Sequence, residues 1–167
     1  GTTDSAFSGF ALVNPSALAA EQSVFAKFAS GWEEYRFAVD VSGLVRVFLH
    51  DSSAGIEISA RTGSNGVVAG TWGLISFTYD GRGGSTAADG ISVYVNGADS
   101  TASRSNSASY VAMENLGGGL NVASRNVHTA TFFGGSIAFL ALTQKAVTAD
   151  EHAQARILCR RLFGVPL

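Results

Sequence analysis

At 167 residues the chain fits one domain, long enough to bury a core without disulfide or metal staples. Hydrophobic residues make up 46% and charged residues 14%, and with 11 phenylalanines this excludes a disordered segment, which needs high charge and few aromatics. A net charge of −2 leaves no footprint for nucleic acid, and no apolar run reaches the roughly 20 residues that span a bilayer, so neither nucleic acid nor membrane insertion is expected.

Strand signals recur about every 8–12 residues, the spacing of a sandwich or barrel. Expected strands are 9–13, 23–28, 35–41, 44–50, 56–61, 72–79, 91–95, 98–103, 120–123 and 132–142. Turn clusters separate them, among them Ser42-Gly43, Asp51-Ser52-Ser53-Ala54-Gly55 and Gly63-Ser64-Asn65-Gly66. The clearest element is the pair 72–79 and 91–95. Ile75, Phe77 and Tyr79 share one face of the first strand and Ile91, Val93 and Val95 one face of the second, and Asn96-Gly97 predicts a type I′ turn. The connection 80–90 is long and Gly/Ser-rich, and 103–109 is a low-complexity polar loop.

One helix is expected, at about 149–163. Thr148-Ala149-Asp150-Glu151 is a capping box, acids sit in the first turn, Arg160 and Arg161 in the last, and Gly164 stops the helix. Ala155, Leu158, Cys159, Leu162 and Phe163 form its apolar stripe. Cys159, the single cysteine, falls in that stripe and reads as a small buried hydrophobe; one cysteine excludes an internal disulfide.

Strand alternation supplies the main candidate site. With Tyr35, Phe37 and Val39, then Val45, Val47 and Leu49, then Ile56, Ile58 and Ala60 turned inward, the opposite face carries Arg36, Asp40, Arg46, Phe48, His50, Glu57, Ser59 and Arg61. If the three strands are neighbours, Arg36, Arg46, Phe48, His50, Glu57 and Arg61 share an open face. Phe48 between Arg and His suits the C–H face and the hydroxyls or carboxylates of a sugar, with acidic polysaccharides favoured. The bland alternative is a solvated sheet face with Phe48 covered. A second candidate lies in loops: Trp32 as a rim stacking platform or a core cap, with Tyr110, Arg125, Asn126 and His128 flanking the last strands.

Metal chemistry has little support. His50, His128 and His152 lack zinc-ligand pairing, and Asp80 and Asp89 could offer Ca²⁺ two carboxylates but read more simply as turn caps. No nucleophile elbow is present, so no cofactor and no catalytic residue are expected, with Ca²⁺ the one open possibility.

Three stretches together resemble a laminin-G-like domain of the concanavalin A-like lectin/glucanase superfamily. They are Phe25-Ala26-Lys27-Phe28 with Tyr35-Arg36-Phe37-Ala38-Val39; Trp72 through Tyr79-Asp80-Gly81 to Tyr94-Val95-Asn96-Gly97; and Phe133-Gly134-Gly135-Ser136-Ile137 through Ala146-Val147-Thr148-Ala149-Asp150-Glu151. The resemblance implies an all-β, two-sheet jelly-roll β-sandwich with one concave sheet, followed by the C-terminal helix. It also implies glycan binding, sometimes with Ca²⁺ at a loop rim, and a setting such as bacteriophage tail fibres and tailspikes. The Glu-x-Asp-x-(x)-Glu strand motif of the superfamily's glucanases is absent, and Glu33-Glu34 are adjacent and so point to opposite faces of a strand. The expectation is therefore residues 1–167 as a single domain excised from a longer protein, acting as a non-catalytic carbohydrate-binding domain at a virion surface or outside the cell. Its partner would be a glycan or polysaccharide, with homo-oligomerisation through the parent protein. Two alternatives stand beside it. One is an architectural or trimerising spacer with Phe48, Leu74 and Ile157 in subunit interfaces; the other is glycan hydrolysis through Glu57.

Overall fold

A computed structural model describes residues 4–64, 66–125 and 131–167. The chain runs through β1 (Phe7–Pro15), β2 (Gln22–Ala29), β3 (Trp32–Val39), β4 (Val45–Asp51), β5 (Ile56–Thr62), β6 (Gly73–Tyr79), β7 (Ile91–Val95), β8 (Ala98–Asp99), β9 (Thr101–Ser105), β10 (Asn121–Val122) and β11 (Gly135–Thr143), and ends in helix α1 (Ala149–Phe163). Two antiparallel sheets result, β11-β1-β6-β7-β8 and β10-β2-β3-β4-β5-β9. This is the two-sheet β-sandwich with one C-terminal helix that the resemblance implies, and it decides between the sandwich and barrel that the patterning allows.

Alternation places the core between the sheets. Phe25, Phe37, Val39, Val45, Val47, Leu49, Ile58, Ile75, Phe77, Tyr79, Ile91 and Val93 are all buried there. The Phe37 and Phe77 rings meet across the sandwich at 5.1 Å, with Phe25 at 5.2 Å from Phe37. Gly9 of β1 makes room for them: a Cβ there would stand 2.6 Å from Phe77 Cε1 and 2.7 Å from Phe25 Cζ.

The β6–β7 pair forms as the alternation requires, with Ile75 opposite Val95, Phe77 opposite Val93 and Tyr79 opposite Ile91. The 80–90 connection contains a short 3-10 helix, Gly84–Gly90. Asn96 and Gly97 have φ of 49° and 76°, both positive as a type I′ turn demands, and they join β7 to β8. The expected strand 98–103 divides between the two sheets: β8 pairs with β7, and β9 pairs with β5. At the crossing the Thr101 hydroxyl accepts the Val93 N–H at 2.8 Å, supplying the acceptor that a continued strand would have given. The expected strand 132–142 begins at Gly135, because the Ser23 and Phe133 amides bond instead to Thr131 and Ala123 carbonyls beside the six-stranded sheet.

Both halves of the Thr148–Glu151 capping box are present, and Gly164 closes α1 at φ 65°. The helix lies on the outer face of the five-stranded sheet, but its buried face differs from the apolar stripe. Its anchor is His152, fully buried, with Ser76 Oγ 2.8 Å from Nδ1 and Thr78 Oγ1 2.9 Å from Nε2. Tyr94 stacks on the imidazole at 3.8 Å and Phe10 at 4.8 Å. Cys159 and Ala155 continue the contact onto Leu12 and Leu74. Leu158 and Leu162 stay 56% and 67% exposed. The cause is the sheet: β6 turns the hydroxyls of Ser76 and Thr78 outward, and a buried hydroxyl needs a partner. The orientation that brings His152 to them leaves the leucines outside.

Candidate functional site

With α1 on one sheet, the outer face of the six-stranded sheet is the other broad surface of the sandwich. Strands β2, β3, β4 and β5 are neighbours in it, which supplies the adjacency the candidate face requires. Arg36 lies opposite Phe48, Phe48 opposite Ser59, Arg46 opposite Arg61 and His50 opposite Glu57. Arg36, Arg46, Phe48, His50, Glu57 and Arg61 therefore lie together on that face.

Of the two readings of Phe48, the arrangement matches the covered ring and not the open aromatic platform. Phe48 is only 2% exposed, because Arg36 lies 3.5 Å above its ring centroid and Arg46 4.6 Å. A weakly hydrated, planar guanidinium gains by covering an aromatic face, so the phenylalanine orients the arginines instead of meeting solvent. Arg36 also contacts two carboxylates, Glu21 at 2.5 Å and Glu57 at 3.3 Å, and Arg46 Nη1 stands 3.8 Å from Glu21. His50 Nε2 is 2.9 Å from Glu57 Oε2. Burial opposes the charge on Glu57, but His50 and Arg36 beside it hold its carboxyl below the usual carboxylate range. Arg61 donates from Nε to Ser103 Oγ at 2.9 Å. Among the described residues the Nε atoms of Arg36, Arg46 and Arg125 are buried with no hydrogen-bond partner.

Phe28 and Glu21 belong to this face and escaped the sequence reading. The Phe28 ring packs against His50 at 4.7 Å and lies under Arg125 at 5.2 Å and Arg36 at 5.9 Å. Alternation outward from Phe25 would have placed Phe28 here, beside Ala26. Glu21 carries no periodic signal, because it precedes β2 and reaches the face from a connection.

The loop candidates separate. Trp32 opens β3 and is 52% exposed, beside Gly118, which fits a rim platform and not a core cap. Tyr110 is corrected: it is 2% exposed, and its hydroxyl donates to Asp4 Oδ2 at 2.9 Å, so it is a buried strut. Tyr79 donates to the same oxygen at 2.6 Å, and burial holds the Asp4 carboxyl above its ordinary range against these two hydrogen bonds. Asn126 and His128 lie outside the described residues.

Asp80 and Asp89 do not form a cation cage. Asp80 is taken up by the backbone and guanidinium of Arg82, and Asp89 accepts from Asn106 Nδ2 at 2.9 Å. No group of three or more His, Cys, Asp or Glu suited to a metal ion assembles among the described residues. A separate cleft of about 610 Å³ lies at one end of the sandwich, lined by Asp4, Lys27, Glu34, Tyr35, Met113 and Asn115 among others. There Lys27 pairs with Glu34 at 2.7 Å.

The family model for the concanavalin A-like lectin/glucanases superfamily, Laminin_G_3, matches residues 1–151. The chain belongs to this superfamily. No curated protein sequence matches it significantly. Among solved structures, the CBM40 of the Ruminococcus gnavus IT-sialidase bound to α2,3-sialyllactose superimposes with a TM-score of 0.69 at 12% identity, over 93% of this chain and 84% of that one. A candidate carbohydrate-binding protein from Bacteroides ovatus gives 0.63 at 16% identity, over 92% of this chain. The NanB sialidase from Streptococcus pneumoniae gives 0.66 at 16% identity, over 90% of this chain. This chain spans only 41% and 24% of the length of these last two chains. At such identities the likeness shows the fold.

Proposed function

We propose that the chain is a non-catalytic, lectin-like carbohydrate-binding domain whose site is the outer face of the six-stranded sheet, with acidic glycans as its ligands. One observation carries the reading: four guanidiniums, Arg36, Arg46, Arg61 and Arg125, gather on this face, two of them over the Phe48 ring, and among the described residues three keep a buried Nε with no hydrogen-bond partner. Such a surface offers guanidinium groups to an anionic sugar substituent. The relatives' association with sialyllactose and carbohydrate binding supports the same reading. Recognition would rest on bidentate guanidinium–carboxylate pairing, with Trp32 available for stacking at the rim and Asn126 and His128 as further polar partners. A single shallow site binds weakly, so strength would come from several copies, as on a phage tail protein at a virion surface or on another extracellular assembly.

The test is a glycan array of acidic and neutral oligosaccharides, run with Ca²⁺ and with chelator. Binding is expected to favour carboxylated glycans, to fall with added salt, and to weaken by on the order of 1–2 kcal/mol in Arg46→Ala. Loss in Trp32→Ala with Arg46→Ala unaffected would move the site to the rim, and a blank array would sink the reading. Reducing-sugar release abolished by Glu57→Gln would instead establish a hydrolase.

A second reading, an architectural or trimerising spacer, is favoured by α1, where Ile157, Leu158 and Leu162 are exposed. Of the positions first assigned to subunit interfaces, Phe48 and Leu74 are buried within the chain and only Ile157 faces solvent. A trimeric solution mass that Leu158→Glu reduces to a monomer would support it.

A further inference from the structure

Glu21 stands immediately before β2, outside the sheet, yet its carboxylate reaches over the guanidinium pair. Oε1 is 2.5 Å from Arg36 Nη1 and Oε2 is 3.8 Å from Arg46 Nη1. One carboxylate spanning two guanidiniums, both lying on the Phe48 ring, is the geometry these arginines would offer to the carboxylate of an acidic sugar. Glu21 remains reachable from solvent in this position. Its side chain is 26% exposed, and its connection has exposed residues at Ser16, Ala17, Ala19 and Ala20.

We propose that Glu21 is an internal stand-in for the ligand's carboxylate, bridging Arg36 and Arg46 in the free domain and displaced by the acidic group of a bound glycan. This rests on the glycan-binding reading above. The displaced side chain moves to water, where an ionised carboxylate is well solvated, and Glu57 still holds Arg36 on the ring from the other side at 3.3 Å. The incoming group can engage donors that Glu21 leaves free, since Arg46 meets Glu21 with one nitrogen only, at 3.8 Å. A neutral glycan brings only hydroxyls, which carry no charge and cannot make the bidentate ion pair that a carboxylate makes with a guanidinium, so it does not expel Glu21. The residue thus acts as a selectivity filter: it weakens every ligand at this subsite but excludes neutral ones most.

The experiment measures affinity of wild type and Glu21→Gln for α2,3-sialyllactose and tetragalacturonate as carboxylated probes, with lactose as the neutral counterpart of the first. Titration calorimetry is paired with melting temperatures to show that both proteins are folded. Glu21→Gln keeps the shape and removes the charge, and it is expected to bind a carboxylated probe about tenfold tighter than wild type, a gain that Arg46→Ala abolishes. In wild type, the carbon resonance of the Glu21 carboxyl should shift when that probe is added, a readout that needs no variant. If wild type binds a carboxylated probe and Glu21→Gln binds it equally or more weakly, with the Glu21 resonance still, Glu21 merely supports Arg36. That overturns the filter and leaves the glycan reading standing. Binding of lactose alone likewise overturns it. No binding of any probe by either protein at millimolar concentration removes the filter and the glycan reading together.

Discussion

Between α1 and the five-stranded sheet, the His152 imidazole has both nitrogens on hydroxyls and an aromatic ring on either side. Burial lowers its pKa from 6.5 to about 4, and the carboxylates of Glu151 and Asp99 pull the other way by less. In that window the unfolded chain takes up a proton that the folded chain refuses. Stability is therefore full above pH 6.5 and falls as the pH drops toward 4, by up to about 3 kcal/mol. Urea unfolding at pH 7 and 4.5 checks this. His152→Gln is expected to cost roughly 1–3 kcal/mol at pH 7 and to flatten the pH slope, whose other contributors both proteins share. An unchanged slope would assign the acid sensitivity to other groups. At this scale the sequence was least informative: His152 stood out only as a histidine without a metal-binding partner. Phe48 was assigned to the right face but left undecided between open and covered, because a one-dimensional pattern does not say which long side chain folds across a ring.

The turn between β7 and β8 shows how much a short element carries. Asn96 Oδ1 accepts the Leu74 N–H at 2.9 Å, and Gly97 takes a φ of 76° that favours glycine. A Cβ on Gly97 would stand 3.0 Å from both Ala153 Cα and His152 O of α1. Gly97→Ala is thus expected to lose about 1 kcal/mol to the backbone, and more as the helix is pushed off the sheet. Denaturant midpoints should place the total above that of Gly55→Ala. Gly55 has a similar φ of 66° but nothing within 4 Å of its Cβ position. Equal costs would mean that the helix gives way freely. Elements of this kind were legible, since Asn-Gly after alternating apolar residues, and a capping box before a helix, depend on neighbours along the chain. The strand expected at 98–103 was not, because its division at Ser100 is enforced by two different partners, β7 and β5.

For the whole molecule, α1 settles which sheet is free. The helix covers Phe10, Leu12, Leu74 and Tyr94 on one sheet, and the arginine face of the other remains uncovered by it. A chain ended at Val147 would bare that apolar surface and leave Ser76 without its His152 partner. It is expected to melt well below the full chain and to bind a hydrophobic dye, both readable in one thermal scan. A truncated chain that melts like the full one would mean that the helix is a passenger.

The alternation of Phe37, Val47, Ile58 and Phe77 along their strands, the Asn-Gly turn and the Thr148–Glu151 box were enough to establish an all-β sandwich or barrel with one C-terminal helix, and the resemblance pointed to two sheets. Those signals are periodic or local, and burial acts on them one strand or one turn at a time. The bridging of Arg36 and Arg46 by Glu21, the covering of Phe48, and the choice of His152 over Leu158 as the helix anchor arose from contacts between segments distant in the chain. Each depends on which charges and hydroxyls had to be satisfied once two surfaces met, and that is a property of the packed molecule, not of any one strand.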